Sequence, residues 1–188
     1  MSAETRLWLI RHAPVDRPRG VIHGPDAPAD VSDTAAFAAL RAKLPATAFA
    51  VCSPARRTFE TALTLGLDPV KQVLFREQDF GDWTGRRHDD LVAEPGDAYR
   101  EFWKSPASNA PPGGESFVDQ VGRTIDGFAS LPAGDVVLVV HSGTIRAALA
   151  IVLDLAPDAA LRFVIDPLSL TRIDRLEDGW RVVAVNRR

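Results

Sequence analysis

The chain has 188 residues, 46% of them hydrophobic and 25% charged, enough to bury the core of one domain without disulfides. Its formal net charge of −3 excludes a global attraction to nucleic acid or an anionic membrane, so any anion site must draw on local cations. The one cysteine, Cys52, excludes an internal disulfide and fits a reducing compartment.

With no apolar signal core at the start and no membrane-length apolar run, the chain is expected to be cytoplasmic. Leu7-Trp8-Leu9-Ile10 is an unbroken apolar run ended by charge, as expected of a strand covered on both faces. A loop rich in Pro, Gly and Asp follows over 13–30. Ser32 or Asp33 can then cap a helix with Phe37, Leu40 and Leu44 on one face. Residues 49–52 form the next strand, and Ser53-Pro54 opens a helix to about residue 65. Residues 70–75 read as a third strand.

From 79 to 115 the pattern turns irregular, with one or two short helices around 89–104. This includes an insertion or lid over about 86–115 on one edge of the sheet. Trp83 reads as core packing, Phe102 and Trp103 as core or lid, and His88 as a solvated surface residue. Residues 116–131 are predicted helical, with Phe117, Val121, Ile125 and Phe128 on one stripe. Residues 136–140 are the clearest buried strand, 142–153 a helix, and 169–176 and 180–185 two strands flanking the turn Asp178-Gly179.

Strands alternating with helices predict an α/β fold: a single domain over 1–188, a three-layer sandwich with a mostly parallel sheet and helices on both faces. Ligands in such folds bind outside the carboxyl ends of the strands. Here those ends carry Arg11-His12, Ser53-Pro54 with Arg56-Arg57, and His141-Ser142-Gly143. Arginine offers a phosphate group planar, permanent positive charge, and the helix start at Ser142 offers backbone N–H groups. Imidazole is the available nucleophile, because Cys52 is not followed by a glycine-rich cradle.

Taken together these segments resemble the histidine phosphatase superfamily, which includes phosphoglycerate mutases and α-ribazole phosphatases. Leu9-Ile10-Arg11-His12 is similar to its strand-end motif. Ser53-Pro54-Ala55-Arg56-Arg57-Thr58 resembles its second motif in a register that selects Arg57 rather than Arg56. Glu77, within Phe75-Arg76-Glu77-Gln78-Asp79-Phe80-Gly81-Asp82-Trp83, stands where the family has its acid. Pro112-Gly113-Gly114-Glu115-Ser116 and Val139-Val140-His141-Ser142-Gly143 complete the order. The resemblance implies that His12 is the phosphoryl acceptor and that Arg11, Arg57 and His141 hold the phosphate oxygens. Glu77 would protonate the leaving group and then activate water. Ser142 and His23 are further substrate-binding candidates, His23 because Val21-Ile22-His23-Gly24 resembles the loop that closes on phosphate.

Two departures stand out. Ala13 replaces a family glycine, at a cost of about 1 kcal/mol if that position needs positive φ. The stretch Pro14-Val15-Asp16-Arg17 lacks an asparagine common in relatives.

The expected activity is hydrolysis of a small phosphorylated metabolite, with α-ribazole phosphate a candidate and no metal or other cofactor. The expected partners are the phosphate ester and a second copy of the chain in a homodimer, without nucleic acid or membrane. The alternatives are a phosphoglycerate mutase, disfavoured because the chain ends at Arg187-Arg188 with no tail to cover the site, and a non-catalytic phospholigand-binding module. The four scattered histidines show no metal-site spacing.

Overall fold

The computed structural model describes residues 4–16 and 20–188; Arg17, at the end of the stretch without asparagine, lies outside them. The first strand, β1 (Thr5–Arg11), is followed by the long loop and α1 (Thr34–Arg41), whose start is capped by the Asp33 carboxylate accepting from Ala36 N–H. Next come β2 (Phe49–Cys52), α2 (Arg56–Thr64) and β3 (Val70–Lys71). Two short helices follow, α3 (His88–Ala93) and α4 (Ala98–Lys104), and then α5 (Phe117–Ala129), β4 (Gly134–Val140) and α6 (Ser142–Val152). The chain closes with α7 (Pro157–Ala160), β5 (Leu170–Leu176) and β6 (Gly179–Arg187).

The strands form one sheet in the order β3-β2-β4-β1-β5-β6. The pairings among β1, β2, β3 and β4 are parallel, while β5 runs antiparallel to β1 and β6 antiparallel to β5. Alternation along β4 divides the core. Val136, Leu138 and Val140 pack with Phe128, Ile145 and Leu149 of α5 and α6. Val137 and Val139 pack with Phe37, Leu40 and Ala62 of α1 and α2. Helices thus cover both faces of the central strands, and the unbroken apolar runs of β1 and β4 have this cause. Among the described residues no helix is long and apolar enough to cross a membrane.

Three sequence expectations need correction. The third strand stops at Lys71 because Gln72 caps a 3-10 turn over Val73–Phe75, its side chain accepting from Leu74 N–H, and Phe75 is swung into the core. On α5 the buried face is Phe117, Gln120, Thr124, Gly127 and Phe128, whereas Ile125 is half exposed. An apolar stripe could not reveal a buried face that carries a glutamine and a threonine. His88 is not simply solvated; its Nδ1 lies 2.6 Å from Tyr99 Oη. Of the pair read as core or lid, Phe102 is buried and Trp103 is exposed on the inserted segment.

The inserted segment packs on the loop after β1 rather than forming a separate unit. Trp83, Leu91 and Phe102 bury Ile22, and Ile22 N–H donates to Arg86 O at 2.9 Å while Gly85 N–H donates to Ile22 O at 2.7 Å. That stitching fixes the backbone next to His23.

Candidate active site

The site assembles at the carboxyl ends of β1, β2 and β4, which deliver His12, Ser53 and His141. Parallel register sets this: Arg11 lies opposite Val140, and Cys52 opposite Val139, so the three strands end nearly level. His12 N–H then donates to Val140 O at 3.0 Å and Ser53 N–H to Val139 O at 3.2 Å, extending the ladder one residue past each strand.

Hydrogen bonds assign the tautomer of His12. Its Nδ1 lies 2.6 Å from Ala13 O, a group that only accepts, so Nδ1 carries the proton and Nε2 the lone pair. Arg57 Nε donates to that Nε2 at 3.2 Å. The same guanidinium donates through Nη1 to Gly24 O at 2.9 Å and lies 3.3 Å from His141 Nδ1 through Nη2. His141 Nδ1 is then an acceptor, and its Nε2–H faces Ser53 Oγ at 2.8 Å. The two imidazoles sit edge to face, 5.2 Å between centroids.

His12, Arg57 and His141 are all buried. Burial, and after it the Arg57 charge, pushes His12 down to about 3. Burial, then His12 and Arg57, holds His141 well below the usual imidazole range. Both rings are therefore neutral near pH 7, with lone pairs turned toward one guanidinium. Arg11 contributes from the side of β1. Its Nη1 donates to Ile165 O at 2.5 Å, while its Nε is buried without a hydrogen-bond partner. A buried donor left open beside the His12 ring suits an anion.

Glu77 joins this group from the segment after the 3-10 turn. Its Oε2 lies 4.0 Å from His141 Nδ1, and its Oε1 accepts from Gln78 N–H at 3.2 Å and from Gln120 Nε2 at 3.3 Å. The segment is held from behind by Arg123, which donates to Leu74 O, Arg76 O and Glu77 O at 2.7, 2.8 and 3.1 Å. Glu115 holds Arg123 through two contacts of 3.1 and 2.5 Å and accepts from Asp79 N–H at 3.0 Å. Glycine is required where this wall closes. A Cβ on Gly81 would stand 2.1 Å from Pro112 O, and one on Gly114 would stand 2.3 Å from Asp79 O.

Two cavities meet at His23, which lines both. One, of about 390 Å³, is walled by Arg57, His141, Glu77, Arg76, Phe80 and Thr84. The other, of about 870 Å³, lies beside Arg11 and His12 against α1 and residues 167–168. Ser142 opens α6 but lines neither cavity, so its expected contribution is not matched by a place in either wall. Ala13 lies outside the positive-φ residues and donates its N–H to Thr61 Oγ1 at 3.0 Å. The replaced glycine therefore costs no backbone strain here. Among the described residues no group of three or more His, Cys, Asp or Glu side chains is placed to hold a metal ion.

Gln120, Arg123 and the Ser53 hydroxyl join the site without a role expected from sequence. Arg123 carried a faint signal, an arginine about two helical turns past the glutamate of the Pro-Gly-Gly-Glu-Ser segment; Gln120 carried none.

Known proteins resemble this chain in sequence and in fold. A 2,3-bisphosphoglycerate-dependent phosphoglycerate mutase of Xanthobacter autotrophicus is 33% identical over 103 residues, 52% of this chain and 50% of that protein. The chain thus spans about half the length, or less, of the curated relatives it matches first. A mycobacterial glucosyl-3-phosphoglycerate phosphatase superposes with a TM-score of 0.82 at 28% identity, covering 98% of this chain and all of that one. The α-ribazole phosphatase of Shigella flexneri shares the fold, with a TM-score of 0.85 at 23% identity over 96% of each chain. Residues 7–188 match the family description itself, and the chain belongs to the histidine phosphatase superfamily, branch 1.

Proposed function

We propose that this protein is a phosphomonoesterase that hydrolyses a small phosphorylated metabolite through a phosphohistidine on His12. The observation that carries the reading is the Nε2 lone pair of a neutral, buried His12 turned toward Arg57, which also reaches His141 and lines one cavity with His141 and Glu77.

On this reading the incoming phosphate draws the Arg57 donors onto its oxygens and releases the His12 lone pair for in-line attack. Arg11 Nε supplies a further donor. His141 donates to phosphate only with a proton on Nδ1, and the Ser53 hydroxyl allows that shift, since it can turn from accepting at Nε2 to donating there. As the N–P bond forms and the P–O bond breaks, a proton passes from Glu77 to the departing oxygen. The resulting carboxylate then takes a proton from the water that hydrolyses phosphohistidine.

The leaving group occupies the cavity shared by Glu77, Arg76, Phe80 and Thr84, whose mixed lining suits a hydroxylated or acidic metabolite. The similarity to glucosyl-3-phosphoglycerate phosphatase makes a glycosylated phosphoglycerate the first substrate to try, with α-ribazole phosphate second.

A phosphoglycerate mutase is the second reading, favoured by the identity to the Xanthobacter protein over half the chain. Rapid quench with radiolabelled substrate tests the first reading. The expected result is a base-stable, acid-labile protein label, absent in His12→Ala, and release of inorganic phosphate. Label on another side chain overturns it, and isomerisation of 3-phosphoglycerate with a bisphosphoglycerate primer replaces it with the mutase.

A further inference from the structure

We propose that Gln120 is a positioning residue for Glu77, fixing which carboxylate oxygen carries the catalytic proton, and that Gly143 provides the space this requires. The proposal rests on the phosphatase reading above, in which Glu77 is the acid.

Gln120 lies fully buried in the first turn of α5, on a face it shares with Phe117 and Phe128. Packing does not explain it: leucine would fill similar space, whereas the Gln120 Oε1 is buried without a hydrogen-bond partner. What the amide provides is its other end. Nε2 lies 3.3 Å from Glu77 Oε1, 3.4 Å from Arg76 O and 3.5 Å from Thr144 Oγ1. The first turn of α6 closes the arrangement. A Cβ on Gly143 would stand 2.2 Å from Glu77 Oε1 and 2.7 and 3.0 Å from the amide oxygen and nitrogen of Gln120.

Two N–H donors on Oε1, from Gln78 and Gln120, make that oxygen the weaker base of the pair. A proton on the carboxyl therefore sits on Oε2, the oxygen that faces His141 Nδ1 at 4.0 Å and the phosphate site beyond. Without the amide, either oxygen can hold the proton and the carboxyl can rotate. Half of its orientations then present the leaving group with a bare oxygen.

Leaving-group dependence separates aiming of the acid from general damage. A p-nitrophenolate departs with little help from a proton; the alkoxide of glycerol 2-phosphate needs one. The test measures kcat/KM for both esters in wild type, Gln120→Leu, Gly143→Ala and Glu77→Gln, with thermal melts for each. The expected result is that Gln120→Leu and Gly143→Ala lower the glycerol phosphate value about tenfold more than the nitrophenyl value, and that Glu77→Gln shows the same bias more strongly.

Equal losses on both esters in Gln120→Leu and Gly143→Ala, beside a biased Glu77→Gln, overturn the positioning role and leave the acid in place. An unbiased Glu77→Gln removes the acid assignment itself and this proposal with it. Should Gln120→Leu fail to fold, Gln120→Met carries the same test, because it keeps the length of the side chain but offers no N–H to Glu77 Oε1.

Discussion

On the proposed reading the site has two halves, a phosphate end and an acid end, built by different means. The phosphate end is made of strand termini: His12, Ser53 and His141 each follow a parallel strand, and backbone ladder bonds carry them to the same level. The acid end is made of side chains holding a backbone without regular structure. Arg123 and Glu115 tie residues 74–79 in place, and Gly81 and Gly114 let two loops touch. The sheet's cooperativity fixes the first half, and a few polar contacts fix the second. Damage to either half should therefore have a different signature.

The largest effect is expected at the phosphate end. Arg57→Lys keeps a positive charge but loses the fork that reaches His12, His141 and Gly24 together. We expect kcat/KM to fall about a hundredfold or more on any substrate, good or poor leaving group alike, with weaker inhibition by inorganic phosphate. Steady-state kinetics on an aryl and an alkyl phosphate measure this. A loss confined to the alkyl ester would place Arg57 in the acid half and dissolve the division.

How far each half was legible in sequence follows from the same difference. A strand end is visible as an apolar run that stops at a charge, so His12 and His141 could be found from Leu9-Ile10-Arg11-His12 and Val139-Val140-His141. The order of strands, and the antiparallel β5 and β6, depend on pairings between distant segments that composition does not record. Glu77 was found only through its resemblance to the family's acid, since no periodicity marks the segment around it. Gln120 stayed hidden because it is a polar residue on a buried helix face, the reverse of the pattern used to find such faces, and Arg123 because an arginine at the edge of that face reads as solvated. The apolar stripe consequently chose Ile125, which is half exposed.

A smaller and more selective effect is expected at the acid end. Arg123→Met removes donors from three backbone carbonyls and strips the half-buried Glu115 of one of its two arginines. Breaking such a network costs about 2–3 kcal/mol of folding stability. Urea denaturation should show this loss, and adding Glu115→Leu should recover part of it, because the carboxylate is then no longer left underpaired. Inhibition by inorganic phosphate should hardly change, since no strand end moves. An equal loss of phosphate affinity would mean that the wall and the phosphate pocket form one cooperative unit.

The smallest effect separates the halves by pH. His12 is held neutral, down to about 3, by burial and by Arg57, whereas the unfolded chain's histidine titrates near the ordinary value of about 6.5. Between those values the unfolded state binds a proton that the native state refuses. Stability therefore falls as the solution is acidified below about pH 6.5, and the fall continues until the native ring also titrates. By pH 5 this one ring accounts for about 2 kcal/mol. His12→Gln removes the term, so its stability should drop less than that of wild type between pH 7 and pH 5, by about that amount. Arg123→Met should leave the His12 contribution to the slope intact, because burial and Arg57, not Arg123, hold that ring neutral. Identical slopes in wild type and His12→Gln would mean that the native ring takes up its proton as readily as the unfolded one. The neutral nucleophile, and with it the reason for burying the phosphate end so deeply, would then be lost.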